Sequence, residues 1–420
     1  MALFAGRKSK KRFDNALFTA VDLGTEYIKC LVFEKAEDSC LCLGKSTIQH
    51  TSGAMRGGAI ANIPQVATDL RRAIDTATPE GVDQPKQIIV SLAGDLVKSL
   101  VTTIHYHRSS INDHIDNNEL KNLIHKSQWK ALEQIRQLGN QDNQADLGEM
   151  KIINTTIVDA RIDGYKVSNP LNFQGKIVSL SLFNAFAPIS HLKSLEDLAE
   201  VLDLEITNVA AAPYALTKSL LVDNPEFSGI FIDVGAHSTD VAVVHEGGIF
   251  GMQSFALGGE AFTRKLAVDL NITPLKAEKI KKDYAKGLLD KRSNEKIKKS
   301  MQAIAITWSR SVAESLDEFS HLDELPQEIF IGGGGAPLPE VAKSLQTKAW
   351  SASLPFTSKP KAILLKEQDV GCISLPEKLS LESSDLVVSG LANLILNLPD
   401  RAAELNSILS RIMTNMKTTV

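Results

Sequence analysis

The chain is poor in cysteine, with four in 420 residues. Cys40 and Cys42 form a C-x-C pair, which is not the C-x-x-C spacing of a zinc site, and no cluster of histidines lies near them in the sequence. We therefore expect reduced, structural thiols, as in a protein of the cytoplasm.

The chain also lacks a long apolar run and an excess of charge of one sign. A membrane span needs roughly 18–20 apolar residues, and the longest apolar stretch, at residues 387–398, is interrupted by polar residues and a glycine. The basic N-terminus, MALFAGRKSKKRF, is followed by no apolar segment, so it is not a secretory signal. The formal net charge of −4 gives no general attraction to nucleic acid.

The length predicts more than one folding unit, because a single core stops growing at about 250–300 residues. Between residues 95 and 188 the sequence changes in character. A helical piece, ELKNLIHKSQWKALEQIRQL, and a polar run, GNQDNQADLGE, lie between strand-rich pieces. We interpret this block as an inserted module and the polar run as a mobile loop.

Two segments about half a chain apart share one pattern. FTAVDLGTEYIKCLVF and IFIDVGAHSTDVAVV each consist of an apolar strand, an aspartate, one residue, a glycine, nearby hydroxyl side chains and a second apolar strand. A single D-x-G is weak evidence, because aspartate and glycine are common in turns. The repetition predicts an internal duplication and two similar lobes.

Polyphosphate binding explains this pattern. A tight hairpin with glycine brings backbone N–H groups close to phosphate oxygens, and an aspartate can hold the waters of Mg²⁺. A third element, the glycine run at residues 332–335, follows the strand EIFI and precedes a helix. It is either a purine or ribose contact or an ordinary strand–helix turn.

Taken in this order, these elements resemble the actin-like ATPase superfamily and, within it, the FtsA family of bacterial cell-division proteins. The segments that resemble FtsA in FtsA order are MRGGAIANIPQVATDLRRAID, GYKVSNPLNFQGKIVSLSL, FALGGEAFTRKLA and LKAEKIKKDYAKG. The resemblance covers about residues 18–398. It implies an α/β, two-lobed actin-like (ribonuclease H-like) fold with the inserted IC subdomain of FtsA.

The resemblance also implies subdomain boundaries. They are a basic N-terminal tail (1–16), subdomain IA (17–94 and 187–228), the inserted subdomain IC (95–186), subdomain IIA (229–257 and 329–384), subdomain IIB (258–328), a closing helix of IA (385–398) and a C-terminal amphipathic helix (399–420).

Carried over position by position, the resemblance implies ATP and Mg²⁺ as ligands. The first phosphate loop would contain Asp22, Gly24, Thr25 and Lys29, and the second Asp233, Gly235, Ser238 and Thr239. Asp22 and Asp233 would bind the magnesium ion. Gly258 and Gly259 would open IIB, and the residues near the adenosine would be Glu278, Lys281, Gly332, Gly333, Gly334 and Gly335.

Two positions depart from the family pattern. Ala236 and His237 stand where the second loop usually has glycines, so we expect a backbone cost if positive φ is needed there. His237 either pairs with phosphate or projects into solvent. Ala212 precedes Pro213 where relatives have glutamate, and loss of a carboxylate that helps place water predicts weak or absent hydrolysis. No catalytic residue is assigned.

Both ends of the chain have features of peripheral membrane attachment. The last segment predicts a helix with one apolar stripe, formed by Leu405, Ile408, Leu409, Ile412, Met413 and Met416. The stripe is either an interfacial membrane helix, as in FtsA, or a face packed on protein. Five basic residues within residues 7–12 are either a second weak anchor or a disordered tail.

The resemblance implies a function in division: tethering the ring of the tubulin-like FtsZ to the inner face of the cell membrane. FtsZ would bind through its C-terminal segment, on residues of about 258–330, and the protein would self-associate or form filaments. The main alternative is a cytoplasmic adaptor of type IV pilus assembly, like PilM. A small-molecule kinase lacks a convincing catalytic aspartate, and a chaperone would need a substrate domain after residue 398.

Overall fold

A computed structural model describes residues 17–36, 39–141, 149–220, 227–319, 322–366 and 369–397. The predicted basic tail and the C-terminal amphipathic helix, with its six apolar stripe residues, lie outside the described residues, as does most of the polar run. No helix among the described residues has both the length and the apolar character to cross a bilayer.

The described strands, in chain order, are β1 (Leu17–Leu23), β2 (Tyr27–Lys35), β3 (Cys40–Gln49), β4 (Met55–Arg56), β5 (Ala59–Ile60), β6 (Gln87–Leu92), β7 (Lys98–His107), β8 (Met150–Ile162), β9 (Tyr165–Lys166), β10 (Ile177–Pro188), β11 (Glu205–Ala211), β12 (Gly229–Val234), β13 (Thr239–His245), β14 (Gly248–Phe255), β15 (Glu328–Gly332), β16 (Lys361–Leu364) and β17 (Ile373–Ser374). The described helices are α1 (Ile63–Ala77), α2 (Asn117–Gln141), α3 (Ile189–Leu202), α4 (Ala212–Ser219), α5 (Gly259–Leu270), α6 (Pro274–Ala285), α7 (Lys291–Asp317), α8 (Pro339–Ser344), α9 (Lys348–Ser351) and α10 (Leu386–Asn397).

Each lobe is built on one sheet, and the two sheets repeat one topology. Lobe one has the order β11-β6-β1-β2-β3-β17, and lobe two has β14-β13-β12-β15-β16. In both, the first three strands in sequence are antiparallel, and two later strands add in parallel on the side of the first strand. Lobe one has one further strand, β17, which pairs in parallel with β3 at the opposite edge. The first hairpin of each lobe, β1–β2 or β12–β13, therefore occupies the same place in its sheet.

The central strands read as continuous apolar runs because helices cover the sheets. In lobe one, α1 packs on β2 and β3, and α10 packs on β1, β2 and α4. Lobe two has its own buried cluster, which includes Phe262, Trp308 and Trp350. Pro64 and the capping side chain of Asn62 begin α1, and Asp290 caps α7, a long helix that the sequence pattern did not predict.

The block interpreted as an insert forms a sheet of its own, in the order β7-β10-β8-β9, on which α2 packs. This module also touches lobe two, where the Ser99 hydroxyl bonds to the backbone of Met252 in β14. The module is therefore inserted in the chain of lobe one and also contacts lobe two. The subdomain boundaries themselves stay a prediction.

Candidate nucleotide-binding cleft

The two acidic hairpins share one turn geometry. In the first, the Gly24 N–H donates to the Tyr27 carbonyl at 3.1 Å, and in the second the Gly235 N–H donates to the Ser238 carbonyl at 3.0 Å. A Cβ on either glycine would lie 2.9–3.0 Å from the same carbonyl. Close approach of the backbone therefore favours glycine at both positions, and the duplication seen in the sequence extends to the turn.

The aspartate of the first hairpin lies in a charged cluster. Asp22 is buried, accepts a 2.6 Å bond from the Ser91 hydroxyl and lies 3.4 Å from the Lys29 ammonium, directly across the β1–β2 pair. Burial alone would lower the pKa of Lys29, but Asp22, Asp233 and Asp385 together raise it. Lys29 is thus a charged cation facing carboxylates from three separate segments.

The second hairpin has an acid where the first has that lysine. Asp233 pairs across β12–β13 with Asp240, whose carboxyl accepts a 2.6 Å bond from Ser254. Burial raises the pKa of Asp233 to about 6, with Asp22 adding to the rise and Lys29 opposing it. Burial, with Asp233 beside it, raises the pKa of Asp240 to about 8. Asp240 therefore keeps its proton to a higher pH than Asp233.

The two hairpins face one another across the lobes, because Asp22 of lobe one raises the pKa of Asp233, and Asp233 of lobe two raises the pKa of Lys29. Nearby, the Gly94 backbone of lobe one lies against the Asp240 carboxyl of lobe two. A Cβ on Gly94 would lie 2.3 Å from Asp240 Oδ1. Glycine at this position is therefore what lets the lobes approach. Neither Gly94 nor Asp240 was selected from the sequence, although Asp240 occupies the position that Lys29 has in the first hairpin.

The glycine run packs against the end of β12. Gly333 has φ +92°, and a Cβ there would lie 2.2 Å from Asp233 Oδ1. The Gly335 N–H donates to the Val234 carbonyl at 2.8 Å, and the Gly333 N–H to the Ser383 carbonyl at 2.7 Å. The run therefore lies beside the second acidic hairpin. A Cβ on Gly334 would meet no atom within 4 Å.

The start of α5 fixes the second hairpin from behind. The Gly259 and Glu260 N–H groups donate to the Gly235 and Ala236 carbonyls at 2.9 and 2.8 Å, and a Cβ on Gly258 would lie 2.6 Å from the Ala236 oxygen. A planar trans peptide carries its C=O and N–H on opposite sides. The N–H groups that follow these two carbonyls therefore point away from α5.

Ala236 and His237 require a correction to the expected backbone cost. Neither residue has positive φ in the structure, so the second turn accepts side chains here without backbone strain. The His237 imidazole is partly exposed, with Nδ1 3.7 Å from Glu260 Oε2. The two glycines of the usual pattern are thus dispensable for the conformation of this turn.

Glu278 and Lys281, predicted to face the adenosine, join α6 to the start of α5. The buried Lys281 ammonium donates to the Gly259 carbonyl at 2.9 Å and to Thr263 at 2.8 Å, and it lies 2.7 Å from Glu278. Burial alone would raise the pKa of Glu278, but Lys281 and Thr263 hold it below its usual value. The neighbouring Lys282, which the sequence analysis missed, donates to the Tyr27 hydroxyl of lobe one at 2.9 Å.

The departure at the Glu-Pro position lies where β11 joins α4. Ala212 is buried in the first turn of α4, and Pro213 follows it. The Ala211 N–H donates to Asn154 Oδ1 at 3.0 Å, so a side chain of the inserted module holds the entry to this helix. The methyl group of Ala212 can neither orient water nor accept a proton.

The residues fit a hydrated magnesium ion better than a directly chelated metal. Within the described ranges, no three His, Cys, Asp or Glu side chains converge as a metal site. Mg²⁺ commonly keeps several waters and binds one or two carboxylates together with phosphate oxygens. The opposed Asp22 and Asp233 match that donor set.

Two lobes that repeat one sheet topology, each with an acidic hairpin facing the other, define an actin-like ATPase fold. Solved structures that share this fold include a pilus-assembly complex and a filament. A PilM–PilN type IV pilus biogenesis complex matches at a TM-score of 0.64 and 15% identity over 92% of this chain and 99% of that chain. A MamK double helical filament matches at a TM-score of 0.51 and 12% identity over 92% of this chain and 100% of that chain.

Sequence comparison shows similarity to one family within this class. Residues 230–372 match the family model described as "Cell division protein FtsA". The cell division protein FtsA of Bacillus subtilis (strain 168) is 24% identical over 355 residues, which is 79% of this chain and 77% of the relative. The resemblance to FtsA predicted from the sequence is confirmed.

Proposed function

We propose that this protein binds ATP with Mg²⁺ between its lobes. The observation that carries the proposal is that Asp22 and Asp233, in turns of matching geometry, interact across the lobes with Lys29 beside both. Asp22 and Asp233 would hold the waters of the ion, which would supply charge neutralisation to the phosphates. Lys29 would contact the phosphate oxygens, as would the turn residues Thr25 and Ser238. Thr239, which was also predicted to contact phosphate, is buried instead: its hydroxyl donates to the Leu257 carbonyl at 2.8 Å and accepts from the Trp308 indole at 2.9 Å.

The rest of the nucleotide would lie toward lobe two. Gly258 and Gly259 bring α5 against the second turn, and the glycine run lies on the other side of Asp233. The open space at Gly334 suits a flat group, so we assign the adenosine to the region between this run and α6. Glu278 and Lys281 would then shape the site through their hold on the start of α5.

We further propose that turnover is weak or absent, because Ala212 supplies no carboxylate to orient a water. The test of binding is calorimetric titration of the purified protein with ATP and Mg²⁺, followed by phosphate release. Losing a hydrogen bond to a charged group costs about 1.5–3 kcal/mol, so we expect Asp22→Asn and Asp233→Asn each to weaken binding by roughly 10- to 150-fold.

Asp203→Asn is a matched control for the binding test. Asp203 also pairs with a lysine, Lys86 at 2.7 Å, but on the exposed surface of lobe one. We expect this variant to bind ATP like the unmodified protein. Equal affinity for all four proteins would refute the site, and brisk phosphate release would refute the hydrolysis proposal.

In the cell we propose an FtsA-like role, because the matched relatives are named as cell division proteins FtsA. The protein would bind the C-terminal segment of FtsZ through residues of about 258–330 and attach to the cytoplasmic membrane through its ends. Self-association is supported by the fold shared with the MamK double helical filament. The pilus adaptor role remains the second candidate, since the PilM–PilN complex has the same fold.

Two binding assays separate these roles. Pelleting with anionic liposomes should fall when residues 1–13 or 400–420 are removed, and an FtsZ C-terminal peptide should bind the full chain. Equal pelleting of all three proteins would remove the anchor. Binding of a pilus-protein segment in place of the FtsZ peptide would favour the adaptor role.

A further inference from the structure

A histidine that the sequence analysis passed over lies directly behind the first acidic hairpin. His50 follows β3, and its backbone N–H donates to the Glu26 carbonyl at 2.9 Å. Its side chain is only 4% exposed, and the imidazole lies beside the Gly24 backbone carbonyl. One residue thus contacts the turn at two points, once through its backbone and once through its ring.

Asp69 of α1 holds the other side of this ring. The distance from His50 Nδ1 to Asp69 Oδ2 is 3.5 Å, and the Asp69 side chain is 2% exposed. The carboxylate is itself fixed by the backbone N–H of Thr51 at 2.7 Å and its hydroxyl at 3.0 Å, with Arg72 3.5 Å away. Asp69 therefore has little freedom to move, and the ring lies between it and the turn.

The imidazole is an unusual group to bury at this place. Neither ring nitrogen makes a hydrogen bond of ordinary geometry within the described residues, although both are shielded from solvent. Burial lowers the pKa of His50, while Asp69 and the Gly24 carbonyl act in the opposite direction. A buried polar ring without firm bonds costs free energy, so packing alone is a poor reason for a histidine here.

The equivalent turn of lobe two indicates what role a group beside the Gly24 carbonyl could have. There the carbonyls of Gly235 and Ala236 are held from behind by the first N–H groups of α5. Gly24 is the counterpart of Gly235 in the duplicated turn. In lobe one, the group beside that carbonyl is the side chain of His50 in place of a helix N-terminus.

We propose that His50, oriented by Asp69, is a positioning residue for the first phosphate hairpin. Its ring packs beside the Gly24 carbonyl and limits how that peptide can rotate, so the following N–H, that of Thr25, is kept on the opposite face of the peptide. That N–H is then set to meet a phosphate oxygen. This inference rests on the proposed nucleotide function, and it adds the residues that keep one wall of that site in shape.

The test compares the phosphate-dependent part of binding with the rest. His50→Leu should weaken ATP binding by about tenfold, while binding of adenosine stays unchanged. His50→Gln, whose amide can donate to the carbonyl, should recover most of the ATP affinity, and Asp69→Asn should fall between the two. His105→Leu, on the exposed surface of the inserted module beside Ser179, is the matched control.

A second measurement needs no nucleotide. Amide hydrogen exchange of a peptide spanning residues 23–28 should speed up in His50→Leu and remain slow in His50→Gln. If the unmodified protein binds no ATP, the proposed function fails, and exchange still decides whether His50 holds the turn. Unchanged exchange, or equal losses of ATP and adenosine binding, would overturn the positioning role. If His50→Leu does not fold, the Gln and Asn variants carry the same comparison.

Discussion

The glycine run offers two neighbouring positions with opposite expectations for one substitution. Gly333 has φ +92°, and its Cβ would lie 2.2 Å from Asp233 Oδ1 and 2.6 Å from the Val234 carbonyl oxygen. At Gly334 the backbone is not at positive φ, and a Cβ would meet nothing within 4 Å. We therefore expect Gly333→Ala to be strongly destabilising and Gly334→Ala to be tolerated.

The magnitudes follow from the two geometries. Holding a non-glycine residue at such a φ costs of order 1–3 kcal/mol, and forcing a methyl group into packed atoms adds about 1–3 kcal/mol. The sum is about 2–6 kcal/mol. This is a large part of the free energy of unfolding of a typical protein, which is roughly 5–15 kcal/mol. Alanine at a compatible glycine position instead stabilises by about 0.4–1 kcal/mol.

Urea unfolding followed by tryptophan fluorescence is the assay. Trp308 and Trp350 are both buried in the core of lobe two, so their emission reports on the lobe that contains the glycine run. We expect a lower midpoint for Gly333→Ala and an unchanged or slightly higher one for Gly334→Ala. Equal midpoints for the two variants would refute the assignment of strain to Gly333.

Three further predictions concern the contacts between the lobes and the missing carboxylate. Gly94→Ala should cost about 1–3 kcal/mol of stability, and the cost should shrink when Asp240→Ala is added, so an additive double-mutant cycle would refute the contact. The raised pKa of Asp240, about 8, means that the folded chain keeps a proton that the unfolded chain releases near pH 4. The free energy of unfolding should therefore fall as pH rises from about 4 to about 8. It should fall less in Asp240→Asn, and denaturation at several pH values across this range will measure the difference. Ala212→Glu should raise the rate of phosphate release. It should also lose some stability, because the added carboxylate enters a buried position. If the variant binds ATP fully and its phosphate release is unchanged, the missing carboxylate is not the reason for weak hydrolysis.

Much of the candidate site could be predicted because its pattern is local. An aspartate, a glycine and flanking apolar strands lie within a few residues of one another, and the same order recurs in both halves of the chain. Strand pairing across a tight turn is a short-range matter, so Asp22 and Asp233 were located correctly at the ends of their strands. Gly24 and Gly235 were likewise recognised before their close approach was visible.

What was missed depends on long-range packing. His50 and Asp69 lie outside any phosphate motif, and their relation to the turn exists only because α1 packs on β3. The expected backbone cost at Ala236 and His237 was wrong for a related reason: the turn is held by α5 in a conformation that does not need glycine there.

The amino-acid sequence by itself determined that the chain forms two related α/β lobes, each with an acidic, glycine-containing hairpin. This was possible because strand periodicity and turn formation depend on residues that are close together in the sequence. Tertiary structure alone decided how these hairpins are charged and held. The raised pKa of Asp240, the raised pKa of Lys29 and the contact at Gly94 depend on burial and on carboxylates that come from distant segments. Desolvation and Coulomb interactions act through space, so they are set only when the two lobes come together.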